Sequence, residues 1–502
     1  MDRPLSGILA APYFVLFLFS VNAHQLPGRS LLAPLLLFFA GGVAVYALAA
    51  LALGRGEKAC IFSFAFWLLF FGYGRIVDLV ASSGIGGVGS AYLVLALFAV
   101  ALSFAARSLA SSHRDLLGAM RFLNVVISVL VIMAGAGIAG HYYGALTDLS
   151  DHRELGVGGV LDLDPGEDPP DIYYLVLDGY PSSDVLEDVY GYDNDYFLEG
   201  LEDLGFYVAE DARSNYPLTF LSLASALNFR YLDELRRVPG EDSDDQTIPR
   251  RLIERSDLAK SLAAVGYEIV HFNSGWGATE RSPLADRNHH FGPAGDQFIS
   301  AILSETPLAG ISEAAARHRI LETLDRLPTA AAEGEGPSFV FAHIMPPHPP
   351  YLLDADGRPL RGGTLDMAGE VWSDREGYLE QLRFVNRRVL GALETMLEEP
   401  GDTDPIVVLA SDHGTAYGAE TQPGGWGDPS PGLVRERTSI LAAYRVPPAV
   451  EEHLYPAITP VNFTRILLSE QYEADLEPLE DRVYFTDYES PYRWRDAGEL
   501  ED

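Results

Sequence analysis

The 502-residue chain sets 71 Asp and Glu against 35 Lys and Arg, a formal charge of −36 at pH 7. That balance argues against nucleic acid as a partner, because phosphate backbones are bound through clustered cations. A single cysteine, Cys60, leaves everything after it without a disulfide, a thiol nucleophile or a Cys-ligated metal.

The charge is unevenly spread. Residues 1–150 hold 8 Lys and Arg and 5 Asp and Glu, which leaves about −39 on the remainder. In this first part, five apolar stretches lie at about 7–23, 31–53, 60–80, 87–106 and 118–142, each near the ~20 residues needed to cross a bilayer. The first lacks a small-residue cleavage site and four more follow it, so it reads as a span rather than a signal peptide. Arg3, then Arg55 and Lys58, then Arg107, Arg114 and Arg121 mark alternate connections as cytoplasmic. Five spans then place everything beyond about residue 145 outside the cytoplasm, as expected for an integral plasma (inner) membrane protein. Arg75 and Asp78, near the outer end of the third span, read as an interfacial ion pair; a grip on a lipid headgroup is the sharper alternative.

Residues 146–170 are rich in Asp, Gly and Pro and read as a linker. Beyond it, over 171–502, strand patterns at 172–177, 206–208, 267–272, 339–342, 406–410 and 440–444 alternate with helix patterns at 196–204, 219–227, 258–265, 311–327 and 378–397. Strands spaced by helices predict an α/β domain with a mainly parallel sheet covered by helices.

Three of these strands run into polar residues: Asp178-Gly179 after the first, His343-Ile-Met-Pro-Pro-His348-Pro-Pro-Tyr351 after the fourth, and Ser411-Asp412-His413-Gly414 after the fifth. Each alone reads as an ordinary turn or a rigid loop. Together, at carboxyl ends of strands in one α/β domain, they describe one site. Carboxylate oxygens and an imidazole nitrogen suit Zn²⁺ or Mn²⁺ before Mg²⁺. A fourth segment runs Ser214-Asn215-Tyr216-Pro217-Leu218-Thr219, with small and apolar residues following. Thr219 falls in a first helical turn, where free N–H groups and the helix dipole favour an anionic group. Its hydroxyl either caps that helix or acts as a nucleophile, activated by one divalent cation held by Asp178, Asp412 and His413.

In this order of motifs, over about residues 170–465, the outer domain resembles the alkaline phosphatase/sulfatase superfamily. With its multi-span anchor the chain is similar to lipoteichoic acid synthases and bacterial lipid A phosphoethanolamine transferases. The resemblance implies an alkaline-phosphatase-like (sulfatase-like) fold with Asp178, Thr219, Asp412 and His413 around one metal ion and Thr219 as nucleophile. It also implies that His348 contacts the substrate or protonates the leaving group. His343 stands close behind, and Arg435 and Arg437 are candidates for anionic oxygens. Nothing near Thr219 fits the Cys/Ser-x-Pro/Ala-x-Arg sequence of formylglycine sulfatases. After His413 the next histidine is His453, which favours one metal over two. The expectation is a membrane-embedded transferase that moves a phospho-headgroup from a membrane phospholipid donor to a glycan or lipid acceptor. An ester hydrolase using water, and a non-catalytic envelope binding protein, are the alternatives.

Overall fold

The computed structural model describes residues 3–54, 56–81, 88–151, 159–292, 296–334, 336–360, 372–398 and 403–501. By internal contacts the chain divides into two units, one comprising Met1–Ser150 together with Asp296–Ala314, the other most of the remainder.

The first unit contains helices α1 (Leu5–Val21), α2 (Arg29–Leu53), α3 (Glu57–Phe71), α4 (Tyr73–Ala81), α5 (Val88–Ser111) and α6 (Leu117–Asp151). Among the described residues three helices, Arg29–Leu53, Gly89–Ser111 and Leu117–Tyr143, are long and apolar enough to cross a membrane. The expected third span is a bent pair, α3 and α4 turning through 51°. The break falls at Gly72, whose N–H bonds back to the Leu68 carbonyl at 3.0 Å. α1 has 17 residues, about 26 Å of helix, slightly short of the ~30 Å hydrocarbon core. Arg75 pairs with Glu305 at 3.5 Å, a partner the sequence reading had not considered.

In the second unit a seven-stranded sheet is built from β1 (Ile172–Leu177), β2 (Tyr207–Val208), β3 (Glu268–Phe272), β4 (Arg287–His289), β5 (Ser338–Ile344), β6 (Ile406–Ala410) and β7 (Ala442–Arg445), in the order β2-β7-β6-β1-β5-β3-β4. β6, β1, β5, β3 and β4 are parallel neighbours, while β7 runs antiparallel to β6 and to β2. The central strands are buried along their whole length, as parallel strands covered on both faces must be. One face presents Tyr174, Val176, Phe341, Val408 and Ala410 to a core that includes Phe220, Leu223 and Ala224 of the Thr219–Ala226 helix. The other presents Leu175, Leu177, Val340, Ala342 and Leu409 to Leu382, Val385 and Val389 of the Arg375–Glu398 helix.

Residues 152–158 of the expected linker lie outside the described residues. From 159 onward the chain is tied down: Leu163 is buried, the Leu161 N–H donates to Ser261 Oγ at 3.0 Å, and the Asp164 N–H donates to the Tyr472 carbonyl at 2.9 Å.

Candidate metal centre

Parallel register assembles the site. Val176 of β1 is level with His343 of β5 and with Ala410 of β6. Side chains alternate along a strand, so i and i+2 share a face. Asp178 therefore points to the same side as His343 and, one step past the strand ends, as Asp412. That is also the face covered by the Thr219–Ala226 helix.

Thr219 is delivered by a loop fixed at several points. The Ser214 N–H donates to the Thr438 carbonyl at 2.8 Å, Asn215 Nδ2 to the Arg482 carbonyl at 2.9 Å, and the Tyr216 hydroxyl accepts the Leu232 N–H at 2.9 Å. The helix that follows is buried at every position, which its small residues Ser222, Ala224, Ser225 and Ala226 permit. Leu218, with no side-chain cap, occupies the capping position. The Thr219 hydroxyl instead lies 3.0 Å from His413 Nε2.

His413 has the same Nε2 atom 3.2 Å from Asp412 Oδ2 and 3.5 Å from Asp178 Oδ1. Its Nδ1 lies 2.9 Å from the Gly414 carbonyl. A carbonyl only accepts, so Nδ1 carries the proton and, in the neutral ring, Nε2 is a lone pair. A lone pair aimed at two carboxylate oxygens is repulsive unless positive charge lies between them. Asp178 Oδ1 and Asp412 Oδ2 are buried and, among the described residues, take part in no hydrogen bond, which is costly for carboxylates. These residues fit a divalent cation.

The donor atoms fall into two trios. Asp178, His348 and His413 each offer a ligand atom within 4.8 Å of the others, and so do Asp178, His343 and Asp412. His348 Nδ1 donates to the Pro349 carbonyl at 2.5 Å, so Nε2 is the atom with which it could meet a cation or, when protonated, donate to an oxygen. His343 lies 3.2 Å from Asp178 Oδ2 through Nε2, and its Nδ1 is held by Thr279 Oγ1 at 2.8 Å. Burial pushes the Asp178 carboxyl up, but His348, His343 and His413 outweigh it and hold it at about 2.

Several supporting residues carry no motif and escaped the sequence reading. Trp372 is buried against the edge of His348, at 4.9 Å between rings, and packs over Gly179. Gly179 has φ +69°, and a Cβ there would stand 2.6 Å from the Trp372 ring. Glu436 gathers the chain after the histidine, accepting from Thr415 Oγ1 at 2.7 Å and from the N–H groups of Tyr417 and Gly418 at 2.6 and 3.0 Å. Burial raises its pKa against these bonds. At Gly414 the requirement is room rather than turning: a Cβ would stand 2.0 Å from the Glu436 carbonyl.

The two arginines separate. Both lie on the helix Pro431–Thr438. Arg435 is at the surface, paired with Asp184 and, at 2.8 Å, with Asp188. Arg437 is buried, donating through Nε to the Pro217 carbonyl at 2.7 Å and through Nη1 to the Gly414 carbonyl at 3.1 Å. It thus ties the approach to Thr219 to the turn after His413.

No protein-family model and no curated protein sequence matches the chain. Among solved structures, it is similar to the periplasmic domain of EptC from Escherichia coli in complex with Zn, at 13% identity and TM-score 0.45 over 69% of this chain and 98% of that one. It is also similar to the integral membrane lipooligosaccharide phosphoethanolamine transferase A of Neisseria meningitidis, at 12% identity and TM-score 0.42 over 94% and 96%. A putative sulfatase from Bacteroides fragilis follows at 14% and 0.35 over 64% and 82%. At these scores the matches describe a likeness, and the chemistry rests on the side chains themselves.

Proposed function

We propose that the chain is a membrane-anchored, metal-dependent phosphotransferase that moves a phospho-headgroup from a membrane phospholipid to a glycan or lipid hydroxyl of the cell envelope, outside the cytoplasm. The observation that carries this reading is the Thr219 hydroxyl set 3.0 Å from His413 Nε2, within a nest of buried, hydrogen-bond-poor carboxylate oxygens.

Asp178, Asp412 and His413 would hold one divalent ion, Zn²⁺ or Mn²⁺ by their mixed oxygen and nitrogen donors. When bound, it lowers the pKa of the hydroxyl and offsets charge on the transferred group. Thr219 Oγ1 forms the new P–O bond while the bond from phosphorus to the lipid oxygen breaks. The threonine proton leaves to solvent, and His348 supplies a proton to the departing oxygen. In the second step His348 takes the proton of an acceptor hydroxyl as that oxygen forms its own P–O bond, the Thr219 Oγ1–P bond breaks, and Thr219 takes a proton from solvent to return to the free alcohol. His343, held by Thr279, orients Asp178.

Intact-mass analysis of the protein after incubation with mixed membrane phospholipids tests this directly. The expected result is an adduct on Thr219 whose mass gives the headgroup. A metal-loaded protein that never carries an adduct and releases no diglyceride would overturn the assignment in favour of a binding role. Release of the free phospho-headgroup with no product on added glycan or lipid would make water the acceptor.

A further inference from the structure

The segment Asp296–Ala314 lies in sequence between two strands of the outer sheet, yet it belongs to the unit formed by the apolar helices. Its helix Gln297–Ser304 buries Phe298 and Ile302 in one cluster with Val15, Phe19, Ala23 and Leu26. The rings of Phe298 and Phe19 meet edge to face at 5.3 Å. Ile138 and Tyr142 of α6 pack against the same cluster. At the bend between α3 and α4, the Gly74 N–H donates to the Glu305 carbonyl at 3.0 Å, so close that a Cβ on Gly74 would stand 3.0 Å from Glu305 Cα. These contacts gather the C-terminal parts of α1 and α6 and the bend between α3 and α4.

The composition agrees. From residue 297 to 312 the chain has one ionisable side chain, Glu305, and its carboxylate faces Arg75 at 3.5 Å. The chain after residue 150 carries 66 Asp and Glu in all, although it has other acid-free runs, such as 212–232. Immediately beyond Glu305, Leu308 and Ile311 are 40% and 52% exposed. They are three residues apart across a helical turn, closed by the Ile311 N–H on the Leu308 carbonyl at 2.9 Å, and so lie on one side of it.

We propose that Asp296–Ala314 is an interfacial anchor, in which the Gln297–Ser304 helix seats on the membrane helices while Leu308 and Ile311 enter the outer leaflet. A charge-poor segment continuous with apolar spans finds its solvent at the boundary of headgroups and acyl chains, where apolar faces sit about 5–10 Å deep. Lipid is therefore the occupant of this face.

The test uses the full chain in phosphatidylcholine vesicles, with Leu308→Trp, Ile311→Trp and, as a control on the outer domain, Tyr196→Trp, whose site is 76% exposed. Replacing ordinary lipid by lipid with brominated acyl chains should quench about half or more of the emission added at 308 and 311, since bromines in the chains reach that depth. Emission added at 196 should be unchanged. Quenching at 308 and 311 no greater than at 196 overturns the proposal. So does emission that is shielded from aqueous acrylamide but not quenched by bromines, because it would mean that protein covers this face.

Discussion

His413 Nε2 and Thr219 Oγ1 stand 3.0 Å apart, although 194 residues separate them. The ring nitrogen that meets the hydroxyl is the one opposite the Nδ1 that donates to the Gly414 carbonyl. This contact makes Thr219 part of the polar cluster rather than a helix cap.

Thr219→Ala removes the attacking oxygen and should lower turnover by about 10³-fold or more, the scale seen when a nucleophile is deleted, without changing the thermal unfolding midpoint by more than a few degrees. Thr219→Ser should retain part of the activity, because it keeps the hydroxyl. Full activity in Thr219→Ala would redirect attention to Ser222, three residues further along the same helix.

Asp412→Asn and Asp178→Asn each take a carboxylate charge from the cluster. Residues that merely orient a ligand cost about 10–100-fold in metal affinity when lost; direct ligands should cost more. Elemental analysis after dialysis against a weak chelator should find the metal retained by the wild type and absent from both variants.

Gly414→Ala places a methyl group 2.0 Å from the Glu436 carbonyl. Relieving that overlap moves the backbone on which His413 sits. The expected cost is about 1–3 kcal/mol of stability, together with weaker metal binding. Unfolding curves in denaturant and metal titration of the same variant measure both.

The two arginines make an internal control. Arg435→Ala removes exposed ion pairs, worth about 1 kcal/mol or less. Arg437→Ala leaves the buried carbonyls of Pro217 and Gly414 without their donor, at about 1–3 kcal/mol each, and releases the Thr219 approach. Comparable melting temperatures and activities for the two variants would contradict this division.

Acid should weaken the metal-free fold through Asp178. Its folded pKa lies at about 2, below the unfolded value of about 3.9. A depressed carboxylate stabilises the fold at every pH above the unfolded value, and this contribution is lost as pH falls through the folded one. Denaturant midpoints of chelated wild type should therefore drop between about pH 4 and pH 2 more than those of Asp178→Asn, which has no such charge to lose.

Much of the candidate site could be read from the chain because its residues follow fully buried strands. The apolar runs 172–177 and 406–410 coincide with β1 and β6, and Asp178, Asp412 and His413 come next in sequence. β4 went unread because Arg287-Asn288-His289 has no apolar period, being a short edge strand. The helix Pro431–Thr438 was missed because its apolar residues share no single stripe, so that a buried arginine and an exposed one two residues apart looked alike. Trp372 and Glu436 act by filling space and collecting N–H groups, work that leaves no spacing to recognise. Nor could hydropathy alone show that 296–314 packs with the apolar helices, since that depends on which surfaces meet.

The level alignment of β1, β5 and β6 has a consequence for how such a centre can change. Main-chain ladders align Val176, His343 and Ala410, and positions 178 and 412 each follow two residues after an aligned position. Positions 178, 343 and 412 are sockets carried at the end of that plate of strands. A different residue in any socket alters which ion is preferred, or whether one is held at all, while the plate stays as it is. Metal preference can thus drift by single substitutions without refolding the protein, whereas an insertion within one of these strands would shift its socket out of line and dismantle the centre at a stroke.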